Sequence, residues 1–390
     1  MPLSVRLVAL AWVLSSTADT FVVFTLFWLA GPQGWSGAQV GLVVLATRAP
    51  TLLGGVLGGR AVDRFGPVPM LLGDAGLRGL LAVGFAVAGM DGTLSLTTVL
   101  VLGTASGATA PITYAAARTL VPRLVPPDRL SRANALLAVG DQLPLLLSAV
   151  LIGPSLALLG VGTVFLVPAV LLVLVVLVGS RIGAVPSAAA TARSPRGHGE
   201  RDGRSPWRTP GVVPLVALSV CYYAAYGPFE PALPAFVRGE LGAGSGAYSL
   251  LWTVFGVAAL VTLPLAVPLA RRRPGVVNGV GALSWGLVTI PFALAEDVSP
   301  ALLLFALSGA VWGPYSAIET TALQRWTDPS MHGRLFGTQR ALLQTAFPIG
   351  AATGAVALDF TDARAVLIAS CLACATAGAV ALSRPGLRRR

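Results

Sequence analysis

The chain has 390 residues, of which 55% are apolar and only 11% are charged, whereas a typical soluble domain carries about 25% charged residues. Together with a mean hydropathy of +0.78, this composition excludes a soluble protein and predicts one whose main solvent is lipid. All 27 basic residues are Arg, so the sequence lacks the lysine of a P-loop ATPase, and the net charge of +11 must first be explained by membrane topology.

Twelve apolar runs are each about as long as the roughly 20 residues that a helix needs to cross the hydrocarbon core. The first run is too long for a cleaved signal peptide and contains Asp19, so we interpret it as a retained span. In chain order the predicted spans are 7–30, 38–59, 70–90, 94–117, 133–153, 161–180, 211–237, 248–270, 275–295, 300–323, 335–358 and 365–383.

The arginines orient these spans. With both termini on the cytoplasmic side, 22 Arg lie on that side, two lie outside (Arg238 and Arg364) and three lie within spans. This asymmetry is what the positive-inside rule predicts, and it also favours attraction to anionic lipids of the inner leaflet. No nucleic-acid partner is needed to explain the charge. The abundance of Ala, Gly, Arg and Pro is typical of a GC-rich bacterial genome, so we expect a multi-pass protein of a bacterial cell (inner) membrane.

A polar stretch divides the chain into two halves. Residues 181–210 contain six Arg among Ser, Pro and Gly, a composition typical of a flexible linker. We therefore predict an N-terminal six-helix bundle (1–180), a basic cytoplasmic linker (181–210) and a C-terminal six-helix bundle (211–390). The tripeptide Ser-Gly-Ala opens the second span at 36–38 and the eighth at 245–247, which favours an internal duplication.

The loop between the second and third spans carries a recognisable motif. Residues 59–66 read Gly-Arg-Ala-Val-Asp-Arg-Phe-Gly. This sequence resembles the G-x-x-x-D-R-x-G signature of the major facilitator superfamily, although Val68 and Pro69 stand where the family has a basic pair. The resemblance implies an all-α membrane protein of 12 transmembrane helices in two six-helix bundles, with both termini cytoplasmic. It implies transport by alternating access and no enzymatic activity.

Two further resemblances point to export. In the fifth span, Gly140, Ala149 and Gly153-Pro154 resemble the helix-5 signature of drug:proton antiporters, with Ala149 in place of a glycine and Ala157-Leu158 in place of the final pair. In that family the element bends the helix. Asp74-x-x-x-Arg78 and residues 121–136 resemble the branch that contains macrolide efflux pumps and siderophore exporters. Many antiporters have an Arg in the fourth span, but this chain has none there before Arg118.

Ionisable residues within spans are candidates for coupling because a charge at the bilayer centre costs roughly 2.5–3.5 kcal/mol and usually has a partner inside the bundle. At 1.5 Å per residue, Asp19 and Arg48 both lie about 17–18 Å from the cytoplasmic edge. They form either a structural ion pair or a proton-exchanging Asp19 that Arg48 tunes. Asp141 in the fifth span is an alternative proton site.

Other charges suggest a cytoplasmic gate or brace. Asp74 and Arg78 are four residues apart and can pair on one helix face. We expect them to join Asp63 and Arg64 of the motif, where Gly59 and Gly66 flank the charges. Glu319 and Arg340 lie at matching depths in the tenth and eleventh spans, and we give them the same structural interpretation.

The seventh span is irregular, with prolines at 228, 231 and 234. Each proline removes a backbone donor, so the segment should kink or unwind, and broken helices in transporters tend to line cavities. Glu230 lies within this break. It is either a residue of the outer mouth that water reaches or a site for a proton or a substrate cation.

Aromatic residues in the spans could form the apolar wall of a substrate cavity, although each also fits an interfacial belt. These are Phe24, Trp28, Tyr222, Tyr223, Tyr226, Trp312 and Tyr315. Cys371 and Cys374 have a spacing seen in metal sites, but they lie in the apolar last span with no His or further Cys nearby. We therefore expect no metal, no cofactor and no catalytic residues.

The sequence favours a secondary active efflux transporter that couples proton entry to export of a lipophilic drug or small metabolite. We expect it to act as a monomer in the bilayer and to bind no nucleic acid. Two alternatives remain open. One is an importer of a small nutrient with the same fold, and the other is a non-transporting membrane sensor or assembly protein.

Overall fold

The computed structural model describes residues 1–126, 129–182, 205–328, 331–384 and 387, and this part of the chain is helical without any β-strand. The helices up to the linker are α1 (Leu3–Ala30), α2 (Gly37–Arg48), α3 (Pro50–Phe65), α4 (Pro67–Ala88), α5 (Leu96–Thr109), α6 (Pro111–Leu124), α7 (Leu130–Leu158) and α8 (Leu166–Ser180). Those after the linker are α9 (Val212–Tyr226), α10 (Phe229–Gly239), α11 (Ser245–Thr262), α12 (Ala266–Ala270), α13 (Pro274–Ala293), α14 (Val298–Trp312), α15 (Tyr315–Trp326), α16 (His332–Ala357) and α17 (Ala363–Ser383).

Several predicted spans consist of two helices, and proline marks the breaks. Pro50 begins α3 and Pro111 begins α6, while Pro228 and Pro314 directly precede α10 and α15. Proline lacks the backbone N–H and clashes with the preceding turn, so a helix bends or restarts there. In the seventh span the helix is interrupted only at 227–228 and then runs through Pro234. The helical structure is therefore interrupted at two residues rather than unwound over the whole proline-rich stretch.

Most of the predicted spans coincide with helical segments that could cross a membrane. In the described part of the chain, nine helical segments are long and apolar enough, and the bent pair that covers residues 37–65 would be a tenth. The predicted fifth and eleventh spans coincide with the long helices α7 and α16, which have 29 and 26 residues. The fold class is thus an all-α, multi-pass membrane protein.

The chain forms two compact units. Unit 1 comprises Met1–Leu29 and Ala46–Asp202, and unit 2 comprises Ala30–Leu45 and Gly203–Arg390. In unit 1, α4 packs against α6 and α8, and α3 packs against α5 and α6. In unit 2 the main pairs are α13 with α17, α11 with α14, and α9 with α16. Residues 183–204, the larger part of the predicted linker, lie outside the described residues.

Close helix packing in unit 2 depends on small residues. A Cβ atom at Gly286 of α13 would collide with the carbonyl oxygen of Cys371 in α17, and one at Gly378 of α17 would collide with the backbone of Leu283. Small residues at helix interfaces let backbones approach closely, which is how helices gain contact in lipid. The α13–α17 pair therefore forms a tight seam through this unit.

The first turn of α2 is held within unit 2 by a carboxylate. The backbone N–H groups of Gly37 and Ala38 donate to the two carboxylate oxygens of Asp359, at 2.5 and 2.8 Å. A helix N-terminus carries partial positive charge and unsatisfied N–H groups, so a carboxylate there is stabilising. This contact anchors Ala30–Leu45 to the segment that follows α16.

Candidate functional site

The signature motif forms the end of α3 and the turn into α4. Gly66 has φ = 91° and its N–H donates to the Val62 carbonyl at 2.9 Å, so the helix stops in a conformation that suits glycine. Asp63 and Arg64 are exposed, and the Arg64 guanidinium lies over the Phe65 ring at 5.2 Å. Gly59 lies within α3. The last glycine of the motif thus has a local structural role.

A buried charge cluster lies at the centre of unit 1, around Arg78 of α4. Its guanidinium donates to Asp74 in two bonds, from Nε to Oδ1 at 3.0 Å and from Nη2 to Oδ2 at 2.9 Å. It also donates to Asp19 and to the hydroxyl of Ser15, both on α1. Thr113 of α6 donates to Asp74. One cation therefore binds two carboxylates and links α1, α4 and α6.

The two carboxylates of this cluster differ in exposure. The Asp74 side chain is fully buried and that of Arg78 is 1% exposed, whereas the Asp19 side chain is 34% exposed. Arg48 is near enough for its charge to act on Asp19 as well. Asp19 is therefore the carboxylate of the cluster that a proton can reach. Asp74 is the carboxylate whose buried negative charge compensates the positive charge of Arg78.

The cluster corrects two expectations about pairing. The ion pair of Asp19 is with Arg78, not the expected pair with Arg48. The sequence groups Arg78 with the charges of a cytoplasmic gate, whereas its guanidinium lies beside Asp19 and Ser15 of α1.

In the part of the chain that the structure describes, Asp63 and Arg64 form no hydrogen bond with Asp74 or Arg78. These four residues therefore do not form a single gate in this structure.

In unit 2 a different arrangement surrounds Glu319 of α15. Its carboxylate accepts a hydrogen bond from Gln339 Nε2 of α16 at 2.6 Å, and the side chain is buried. The expected partner was Arg340, but this residue is exposed. Successive residues of an α-helix point about 100° apart, so the face of α16 that meets α15 presents Gln339 and turns Arg340 away.

Most of the predicted cavity aromatics lie inside a packed aromatic cluster of unit 2. Tyr222 stacks on Tyr315 with ring centroids 4.7 Å apart, and Trp285 contacts both Tyr222 and Tyr226 edge-on. Tyr223 and Trp312 keep partial exposure. The two predicted cavity aromatics of unit 1, Phe24 and Trp28, are both buried.

The remaining candidates are placed as follows. Glu230 lies in the first turn of α10 and is only 9% exposed. Gly153 and Pro154 lie within α7, which continues through the proline. The backbones of Gly140 and Asp141 also lie in α7, but the Asp141 side chain lies outside the described residues. Cys371 and Cys374 are buried free thiols.

Sequence reasoning missed the neutral partners of the charged residues. Ser15 and Thr113 complete the Arg78 cluster, and Gln339 holds Glu319. A signal for Ser15 was present, since it lies four residues before Asp19 and so shares a face of α1. Nothing comparable identifies Gln339, because its role depends on how α16 is rotated.

The comparisons with known proteins identify the family and the fold. The chain is 28% identical to the uncharacterized MFS-type transporter y4rN of Sinorhizobium fredii, over 90% of this chain and 87% of that protein. It is 24% identical to the multidrug efflux pump Tap of Mycobacterium tuberculosis, over 98% and 93% of the two chains. Its fold is similar to that of a D-xylose-proton symporter, with a TM-score of 0.72 at 17% identity, covering 96% of this chain and 95% of that one.

The family model described as Major Facilitator Superfamily matches residues 8–227 and 215–389, which together span nearly the whole chain. The protein is therefore a transporter rather than an enzyme, and it belongs to the major facilitator superfamily.

Proposed function

We propose that this protein is a secondary active exporter that exchanges protons for a lipophilic drug or small metabolite. It acts as a monomer in a bacterial inner membrane, with twelve spans in two bundles and both termini cytoplasmic. The Arg distribution supports this orientation, since 22 of 27 Arg then lie on the cytoplasmic side. Similarity to the multidrug efflux pump Tap over nearly the whole chain supports export.

The observation that carries the proposal is the exposure of Asp19 within an otherwise buried charge cluster. Asp19 and Asp74 share Arg78, so the hydrogen-bonded group contains two negative charges and one positive charge. When a proton binds Asp19, Arg78 stays balanced by its two bonds to Asp74. The cluster can therefore accept and release one proton without leaving a buried cation uncompensated.

Protonation of Asp19 also changes the contact between helices. A proton on Asp19 removes the Coulomb attraction between its carboxylate and the Arg78 guanidinium, so it weakens the bond between them. This bond joins α1 to α4, and its strength thereby follows proton occupancy. Such a link is what coupling between a proton and a conformational change requires.

The membrane potential supplies enough free energy to drive export. One charge moving through 100 mV is worth about 2.3 kcal/mol. This free energy supports roughly a 50-fold concentration gradient of a neutral substrate.

The other candidates take supporting roles in this proposal. Asp141 and Glu230 are the alternative proton sites, and Arg48 modulates Asp19. Gly140, Gly153 and Pro154 shape the fifth span, and the motif residues Asp63 and Arg64 act at the exposed end of α3, apart from the Arg78 cluster. Tyr223 and Trp312 are the aromatics best exposed for contact with an apolar substrate.

The test uses energised inverted membrane vesicles from an efflux-deficient host that expresses this chain. Uptake of a panel of lipophilic dyes and drugs is followed with and without a protonophore. We expect uptake that the protonophore abolishes, and we expect Asp19→Asn to abolish the same component. Asp297→Asn, which changes an exposed carboxylate between α13 and α14, serves as the matched control and should transport normally.

Other outcomes would redirect the assignment. Full proton-driven export in Asp19→Asn would make Asp19 structural and move Asp141 or Glu230 to the proton site. Proton-driven accumulation of a small nutrient in right-side-out vesicles, without export of any panel compound, would identify an importer. Absence of flux in either direction would favour the sensor or assembly role.

A further inference from the structure

Glu319 is a buried carboxyl group that the proposed function does not use. It lies in α15, within a helical segment apolar enough to cross a membrane, and it is 2% exposed. Its hydrogen-bond partners are the side chains of Gln339 and Ser219. The Ser219 hydroxyl also lies 3.1 Å from the Tyr315 hydroxyl. Polar groups from three helices, α9, α15 and α16, thus converge on this carboxyl group.

The groups facing Glu319 are neutral. Tyr223 and Tyr315 are near enough to interact with it electrostatically. Helices α12 and α13, which pack against α15, contain no ionisable residue. The other ionisable residues on α9 are Cys221, Tyr222 and Tyr226, and α16 carries His332, Arg334 and Arg340. Across the residues that the structure describes, Glu319 forms no ion pair with any of them.

A comparison with unit 1 shows that Glu319 lacks a compensating positive charge among the described residues. Asp74 is equally buried, but Arg78 compensates its charge. An ionised carboxylate inside a membrane protein is costly unless a positive charge balances it, and buried ionisable groups in spans mark ion pathways or proton relays. At Glu319 the amide and hydroxyl partners satisfy hydrogen bonds without supplying a positive charge. A proton supplies both the missing charge and a further hydrogen-bond donor.

We propose that Glu319 is a proton-binding site of unit 2, which carries its proton as a carboxylic acid while Gln339 and Ser219 enclose it. The proton leaves when the O–H bond breaks and water accepts it, and this requires α16 to move so that Gln339 uncovers the carboxyl group. The chain then has two proton sites of different design, Asp19 in unit 1 and Glu319 in unit 2. The role of this second site in transport rests on the proposed proton-coupled export.

The first test reads the proton directly. Purified full-length protein in lipid nanodiscs is examined by infrared spectroscopy at neutral pH, with the C=O stretching band of a protonated carboxyl group as the readout. We expect this band in the unsubstituted protein and its loss in Glu319→Gln. Glu296→Gln, which changes an exposed residue of the α13–α14 loop, should keep the band. Glu319→Asp keeps a carboxyl group and should shift the band without removing it.

The same variants are then compared in the vesicle assay. We expect Glu319→Gln to fold, because an amide has the shape and neutrality of the protonated acid, and to lose part or all of its protonophore-sensitive uptake. A spectrum unchanged by Glu319→Gln would overturn the proposal. A lost band with fully proton-coupled uptake would confirm the bound proton and overturn its role in transport. If the unsubstituted protein shows no protonophore effect, the proposed export fails, while the infrared band still reports whether Glu319 carries a proton.

Discussion

The two units bury carboxyl groups in different ways. In unit 1, Arg78 binds both Asp19 and Asp74, so opposite charges and two neighbouring hydroxyls hold three helices together. In unit 2, Glu319 has an amide and a hydroxyl as partners and lies beside a packed aromatic cluster. Burial alone therefore does not define a coupling group. Whether a carboxyl group depends on a cation or on a proton is decided by its partners.

The largest loss of stability should follow removal of the Arg78 cation in unit 1. We expect Arg78→Leu to lower the free energy of unfolding by about 3–5 kcal/mol, because it leaves the buried Asp74 and the partly exposed Asp19 without their positive charge. The measurement is the midpoint of thermal unfolding in detergent. Arg60→Leu, which changes an exposed Arg on α3, is the control and should shift the midpoint little. Equal shifts for the two variants would contradict a charge-compensated cluster.

We expect smaller losses of stability when the two carboxylates of that cluster are replaced, and the two losses should differ. Asp74→Asn weakens two bonds from Arg78 and one from Thr113, so we expect a loss of about 1.5–3 kcal/mol in the free energy of unfolding. Asp19→Asn should cost less, since Asp19 is partly exposed and Asp74 still balances Arg78. Thermal unfolding of both variants, with Asp91→Asn in an exposed loop as control, tests this order. A reversed order would remove the distinction between the structural and the accessible carboxylate.

The smallest loss of stability is expected in unit 2. Gln339→Leu removes one hydrogen bond to Glu319, and because the loss concerns a neutral donor we expect about 1 kcal/mol. The exposed Gln344 lies on the same helix, so Gln344→Leu is a matched control. If Gln339→Leu were as destabilising as Arg78→Leu, Glu319 would be ionised and dependent on this contact. The contrast between the units would then fail.

The sequence was sufficient to predict features that depend on one segment at a time. Most of the apolar runs coincide with helical segments, the proline-rich seventh span is interrupted, and the spacing of Asp74 and Arg78 identifies their i,i+4 pair. The signature loop also ends at Gly66 as its motif requires, with the positive φ that favours glycine.

The sequence was insufficient to predict which side chains pair between two helices. The partner of Asp19 is Arg78 rather than Arg48, and the partner of Glu319 is Gln339 rather than the adjacent Arg340. Such pairings depend on where a helix begins and how it is rotated, and a shift of one residue turns a side chain by about 100°. Periodicity fixes which residues share a face but not which neighbouring helix that face meets. Polar side chains within apolar runs, such as Ser15 and Thr113, are the best available signal of a buried cluster.

Proton movement during substrate transport is the decisive test of proton-coupled export through Asp19. The purified protein is reconstituted into liposomes loaded with one lipophilic compound from the vesicle panel, and proton flux is followed with an external pH dye as the compound moves down its gradient. We expect protons to move opposite to the compound, and we expect Asp19→Asn to abolish this movement. Transport of the compound without proton movement, or with protons moving in the same direction, would contradict proton-coupled export through this site.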